Sequence, residues 1–286
     1  MKRIALPFVF SAFLIGGSSS CAGDKPTDSG HGDSLHDTIT SFVPGNDSLR
    51  TRFRKLVTSM PVPFEILNRF SGAKLPFMPQ LPNRPDNASQ YADAQSQALN
   101  LGIYGADLAY MISQDKLAES GPYLRGIRRL SDAVVIPSAF DEGILNRYEL
   151  NKERKDSLQL LVNTSYRRID STLQGNDRLL LATLVIYGGW LESIYLTTQH
   201  IGDTPQNEKN KVLYDMLAMQ KPYISNITEL LASFPDDSLC SQLHRDMTGV
   251  KETFPANDLS PNEFSARLSK LREQIAAIRN RLVHTS

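Results

Sequence analysis

Two segments beginning at Leu101 and Leu184 share a pattern that is costly for a helix unless something close packs against it. Leu101-Gly102-Ile103-Tyr104-Gly105-Ala106-Asp107-Leu108 and Leu184-Val185-Ile186-Tyr187-Gly188-Gly189-Trp190-Leu191 both read L-x-I-Y-G-small-x-L. Each glycine inside a helix costs about 1 kcal/mol relative to alanine, so four of them in two apolar helices call for a compensating contact. Ala94, Ala98, Gly102 and Ala106 recur at every fourth residue and form one smooth stripe along a helix face. Another helix can approach such a stripe at backbone distance. The pattern predicts that these two helices cross at the centre of the body, with Gly102, Gly105, Gly188 and Gly189 as helix-packing positions.

The rest of the chain is patterned for helices as well. Leu49, Phe53, Leu56 and Val57 recur at three- and four-residue spacing. Further helices are predicted from Asn87 to about Gln114 and then over roughly 121–136, 138–151, 153–174, 176–200, 206–233, 236–253 and 261–284. The last has the clearest start: Ser260-Pro261-Asn262-Glu263 places a capping Ser, Pro at the first helical position and Glu at the third. Behind it Phe264, Leu268, Leu271, Ile275, Ile278 and Leu282 make one apolar stripe. No run of alternating β-branched residues competes. The expected fold class is all-α, a multi-helix bundle. Between residues 74 and 87, Pro76, Pro79, Pro82 and Pro85 fall at every third position, a spacing that suits an extended polyproline segment packed along the body through Leu75, Phe77, Met78 and Leu81.

The shared motif extends into an internal repeat. A helix with Y-aliphatic-x-x-I-x-x-L follows each copy, at Tyr123, Leu124, Ile127, Leu130 and at Tyr223, Ile224, Ile227, Leu230, with Pro137 and Pro235 beyond them. The motif shift is 83 positions and the second-helix shift 100, so a duplication requires an insertion between them. The expected organisation is a signal peptide at 1–20, a lipidated Cys and flexible tether at 21–47, a helical adaptor at 48–86, and two related four-helix units at 87–175 and 176–286.

The N-terminus carries the address. Lys2 and Arg3 precede an apolar run from Ile4 to Ile15 and a string of small residues ending at Cys21, the layout of a secretory signal. The run is shorter than the roughly 20 apolar residues a membrane span needs. Ser20 directly before Cys21 fits a bacterial lipobox, and Ser18 stands where that pattern usually has Leu; Cys21 is the expected lipidation site. Three acyl chains would anchor the chain firmly. Cys240 would then be the one thiol of the body, a small buried hydrophobe with His244 one turn on. Residues 21–47, with His31 and His36, read as a solvated tether.

Thirty-one basic against thirty-one acidic residues exclude a general nucleic-acid binder, and 41% hydrophobic content with mean hydropathy of -0.29 fits a soluble body. Phosphate-loop, dinucleotide, hydrolase-elbow, zinc-protease and C-x-x-C signatures are absent from the sequence. Ser71-x-x-Lys74 and Ser113-x-x-Lys116 fit S-x-x-K without the accompanying K-T-G. No cofactor and no metal ligand set is implied. Asp107 and Glu192 remain, two carboxylates in apolar helices. They read either as structural acceptors that pin the crossing or as acid/base groups in a pocket lined by Tyr104, Asp107, Tyr110, Tyr187, Trp190, Glu192 and Tyr195.

The run from Ala98 to Tyr110, ALNLGIYGADLAY, together with Ile186 to Leu196, IYGGWLESIYL, resembles a group of uncharacterised lipoproteins of Bacteroidota, over most of the chain from Ser48 onward. The resemblance implies a cell-envelope address, with the outer membrane as the expected site, and brings no activity with it. The sequence reading is thus a membrane-anchored envelope lipoprotein that works without catalysis, as a scaffold or accessory subunit with an envelope protein partner. The alternative is a helical ligand-binding protein or enzyme with a pocket between the Gly-rich helices around Asp107 and Glu192.

Overall fold

The central pair of helices explains the rest of the architecture. In a computed structural model that describes residues 44–59, 66–73, 75–134, 142–151, 154–175, 178–256 and 259–284, nine α-helices and no strands are found among the described residues. They are α1 Pro44–Thr58, α2 Ala94–Ser113, α3 Gly121–Ala133, α4 Glu142–Asn151, α5 Lys155–Gly175, α6 Leu179–Ile201, α7 Lys211–Ala232, α8 Ser238–Thr253 and α9 Pro261–Val283. A helical turn at Phe70–Ala73 and 3-10 turns at Pro85–Ser89 and Leu117–Glu119 complete them. The all-α multi-helix bundle expected from the sequence is the fold observed. The expected signal peptide, Cys21, His31, His36 and nearly all of the tether lie outside the described residues.

α2 and α6 are largely apolar around their circumference, with a few buried polar residues such as Asn100, Asp107 and Glu192, and a helix of that kind is stable only when surrounded. Every residue of α2 from Ala98 to Ser113 is buried. α3 and α5 pack on α2, α7 and α9 pack on α6, and α8 packs against α7 and α9. By length and composition α6 could cross a bilayer, yet most of it is enclosed by its neighbours, as befits a core helix. Residues from 48–86, 87–175 and 176–286 all contribute to one apolar core, and Pro44–Ser286 form one unit.

The glycines sit where the two central helices touch. A Cβ built on Gly102 would stand 2.0 Å from the Val185 carbonyl oxygen and 2.7 Å from the Gly189 nitrogen; one built on Gly188 would stand 2.0 Å from the Leu99 oxygen. Each glycine Cα thus lies against a carbonyl of the opposite helix, the arrangement of reciprocal Cα–H···O contacts. The reciprocal pair is Gly102 with Gly188, a shift of 86 positions (188 minus 102). The shared motif has a shift of 83, so contact register and sequence register differ by about one helical turn.

Local signals set the helix ends. Asp93 caps α2, accepting hydrogen bonds from the Gln95 and Ser96 amides, both at 2.9 Å. The start expected at Asn87 therefore moves to Ala94: Pro85 opens a separate 3-10 turn, and the Asn87 side chain donates to Asn83 Oδ1 at 2.8 Å rather than capping a helix. Ser260 and Glu263 form the expected capping box of α9. Asp115, at φ 58°, ends α2 in a left-handed residue, and Lys116 N donates to Met111 O at 2.9 Å behind it.

Candidate functional site

Asp107 and Glu192 come together with Arg279, a residue the sequence reading did not single out. Asp107 and Glu192 are fully buried and Arg279 is 5% exposed. α2 supplies Asp107, α6 supplies Glu192 and α9 supplies Arg279, so the cluster ties the three central helices. Arg279 Nε donates to Glu192 Oε2 at 2.9 Å and Nη2 to Glu192 Oε1 at 3.0 Å, a bidentate fork. The same Nη2 donates to the Leu81 carbonyl at 3.1 Å, and the guanidinium lies 4.4 Å above the centre of the Tyr195 ring.

The charges are distributed unequally between the two acids. Burial, reinforced by the Glu192 charge and opposed by Arg279, raises the Asp107 pKa well above the usual carboxylate range. The neutral form of Asp107 is thereby favoured. Its Oδ2 accepts from the Asn83 amide at 3.0 Å, and its Oδ1 is buried without a hydrogen-bond partner among the described residues. Burial works against the Arg279 charge, but Glu192, with Asp107 and Tyr195, more than offsets it and holds the guanidinium protonated. A neutral acid, a carboxylate and a guanidinium sum to no net charge, which is the condition under which such a cluster can be buried.

The polar residues of α2 meet the Pro-rich segment one after another. Tyr104, Asp107 and Tyr110 lie three residues apart and so share a face. The Tyr104 hydroxyl donates to Arg84 O at 2.5 Å, Asp107 accepts from Asn83 N, and the Tyr110 hydroxyl accepts from Met78 N at 3.1 Å. The Pro-rich segment is not the fully extended one its spacing suggests, for it turns at residues 78–81, where Leu81 N donates to Met78 O at 3.2 Å, and winds into the 3-10 turn at Pro85. Its other buried amides and carbonyls find partners elsewhere. Here α2 and Arg279 supply them, and the strap runs antiparallel to α2. Asn83 also donates to the Tyr91 hydroxyl at 2.8 Å, which in turn donates to the last-turn carbonyl of α9 at Val283, 3.2 Å away.

The remaining sequence-predicted residues point elsewhere. Tyr110 faces Phe70, Phe77 and His200; its hydroxyl lies 2.8 Å from His200 Nε2. The Met78 amide and the His200 ring thus share that hydroxyl. Burial pushes His200 down to about 4, so the ring is neutral at pH 7. The Tyr187 hydroxyl and the Trp190 indole nitrogen are buried without a hydrogen-bond partner. Gly102 and Gly188 make the backbone contact described above, while Gly105 and Gly189 are buried in α2 and α6. Cys240 is fully buried, and burial pushes its thiol up to about 12 with Asp237 adding to the shift; it is not a nucleophile at pH 7. Among the described residues no three His, Cys, Asp or Glu side chains converge as a metal site requires.

Arg279 had one signal in the sequence. It falls four residues after Ile275 within the α9 stripe, a cation on an otherwise apolar face. Nothing in a single sequence pairs it with Glu192. Comparison with family models, with curated proteins and with solved structures finds no match to this chain.

Proposed function

We propose that the chain is a lipid-anchored lipoprotein of the cell envelope, held at the outer membrane through Cys21, that acts as a non-catalytic scaffold or accessory subunit for an envelope protein partner. The observation that carries the non-catalytic part is the enclosure of the buried acid cluster: Asp107 and Glu192 are fully buried, Asp107 Oδ2 accepts from the Asn83 amide, and Glu192 is forked by Arg279 of the same chain. An acid/base pair needs hydrogen-bond reach to a substrate, and neither carboxylate reaches the surface. The anchor rests on the sequence: Lys2 and Arg3, the apolar run, and Ser20-Cys21. The resemblance to Bacteroidota lipoproteins supports the same address.

Labelling cells with a tagged fatty acid tests the anchor. The native chain is expected to take up label and to sediment with membranes, and Cys21→Ser to lose both; a Cys21→Ser protein that still fractionates tightly with the membrane removes the lipid anchor from the proposal. Crosslinking in native cells, followed by purification on a C-terminal tag and mass spectrometry, is expected to recover a partner near stoichiometry. Recovery of a partnerless chain carrying a bound small molecule would replace the scaffold reading by that of a binding protein.

A further inference from the structure

We propose that the cleft between α3 and α4 is a binding site for a phosphoryl group. The cleft encloses about 550 Å³, enough for a small phosphorylated ligand. Leu124 and Tyr148 form apolar wall, and Arg125, Arg128 and Arg129 bring three guanidinium groups to the same space. Spaced at i, i+3 and i+4, the three share one helix face. Asp132 is the carboxylate among the described lining residues, 3.7 Å from Arg128. Arg125 and Arg129 are exposed and have no carboxylate in salt-bridge range among the described residues. Among the described lining residues, three arginines less one aspartate sum to about +2 in a chain whose total charge is zero. A phosphate monoester carries about -1.5 to -2 at pH 7, so one such group balances the cleft where a single carboxylate does not.

The start of α3 adds a second, independent reason. Ser120 stands at the N-cap but makes no side-chain bond to the first-turn amides. Its hydroxyl is turned to the Leu117 carbonyl, at 2.6 Å, and to the Tyr148 hydroxyl. The first turn has no acidic residue, and Glu119, just before the cap, lies 3.9 Å from Lys116, so among the described residues no side chain caps the positive end of the helix. Gly121, at that end, lines the cleft, and the Arg125 guanidinium folds back to 3.7 Å from where a Gly121 Cβ would stand. A cation laid over the positive end of a helix is a like-charge arrangement, and an anion seated between them turns both into partners. The planar fork of arginine matches phosphate oxygens in pairs. Apolar wall beside a cationic rim suits a phosphoryl group carried on an organic body, whether a soluble phosphorylated compound or a lipid headgroup.

The test uses the full chain and two probes. Pyrophosphate binding is measured by titration calorimetry, and preference for vesicles of phosphatidic acid, whose headgroup is a phosphate monoester, over phosphatidylcholine vesicles by flotation. The comparison proteins are the double variant Arg125→Gln with Arg129→Gln, and Arg245→Gln, an exposed cation on α8 outside the cleft. If the site takes soluble phosphates, pyrophosphate binds the native chain and Arg245→Gln alike and at least about tenfold more weakly to the double variant. If it takes headgroups, the vesicle preference of the native chain is lost in the double variant and kept in Arg245→Gln. Neither probe binding, or binding that the double variant leaves intact, would overturn the proposal.

Discussion

The two halves of α2 meet their neighbours by opposite means. Toward its N-terminus, at Gly102, the helix touches α6 backbone to backbone, with no side chain between them. Five residues on, at Asp107, it accepts from the Asn83 amide of the Pro-rich strap, beside the ion pair of Glu192 on α6 with Arg279 on α9. The glycine contact fixes how close the helices come, because dispersion and weak Cα–H···O contacts reward approach without choosing partners. The acid cluster fixes which elements meet, because each buried donor has one acceptable acceptor and a slipped register would leave a charge unpaired. One helix thus separates distance from identity and assigns them to different residues.

The largest expected effect breaks the first half. By helix propensity alone Gly102→Ala should stabilise α2 by about 1 kcal/mol. The Cβ would fall 2.0 Å from a backbone oxygen that has no rotamer to give, so the helices must separate, and we expect a loss of at least about 3 kcal/mol or failure to fold. Gly188→Ala, facing Leu99 O at the same 2.0 Å, should behave alike. Chemical denaturation decides between the signs, and a stabilised Gly102→Ala would mean that the crossing is looser than described.

The second half should break asymmetrically. Glu192→Gln strands a buried guanidinium, an effect of about 3–5 kcal/mol. Asp107→Asn replaces an acid whose neutral form burial favours by a neutral amide of the same shape, still able to accept from Asn83, so the cost should be about 1 kcal/mol or less. Equal costs for the two variants would mean that the proton is not on Asp107.

How much of this was legible in the sequence follows the same division. The helices were legible because their apolar periodicity is local, and α9 most of all, since Ser260, Pro261 and Glu263 mark its start and Leu268, Leu271, Ile275 and Ile278 its buried face. The close approach at Gly102 and Gly188 was legible because glycine in an apolar helix has few other uses. Asp107 and Glu192 stood out as carboxylates in apolar helices, but their partners did not. Arg279 is 87 residues from Glu192 and Asn83 acts on Asp107 through its backbone amide, which no side-chain pattern encodes. The start of α2 was placed at Asn87 because Asn is a good cap; Asp93 captured the amides instead, once Pro85 had opened its own turn.

Titration sharpens the comparison between the acid cluster and the aromatic group around Tyr110, because the two should respond to pH with opposite signs. His200 is lowered from 6.5 to about 4 by burial, so the unfolded chain binds the extra proton and stability falls as pH drops from about 6.5 toward 4, by up to about 3 kcal/mol. Asp107 is raised above 3.8, so its contribution is full below that pH and fades as pH climbs toward its folded value. In a stability profile measured from pH 4 to 7, His200→Gln should flatten the rise and Asp107→Asn should steepen it. Parallel profiles for both variants would mean that neither group is perturbed as described.

The smallest effect tests whether glycine matters for its contact or merely for its presence. Gly249 also lies inside a helix, α8, and a Cβ there would meet the Gln274 side-chain nitrogen at 2.8 Å. That atom is the end of a flexible side chain, so a rotation of the Gln274 amide can make room. Turning it disturbs the bond in which the Thr253 hydroxyl donates to Gln274 Oε1 at 2.7 Å, worth about 1 kcal/mol, against about 1 kcal/mol gained in propensity. Gly249→Ala should therefore lie within about 1 kcal/mol of the native chain in the same denaturation experiment. The contrast with Gly102→Ala carries the argument: the same substitution differs only in what the methyl group meets, a movable amide at one site and a fixed carbonyl at the other. If Gly249→Ala proves as damaging as Gly102→Ala, the special status given to the α2–α6 crossing is lost.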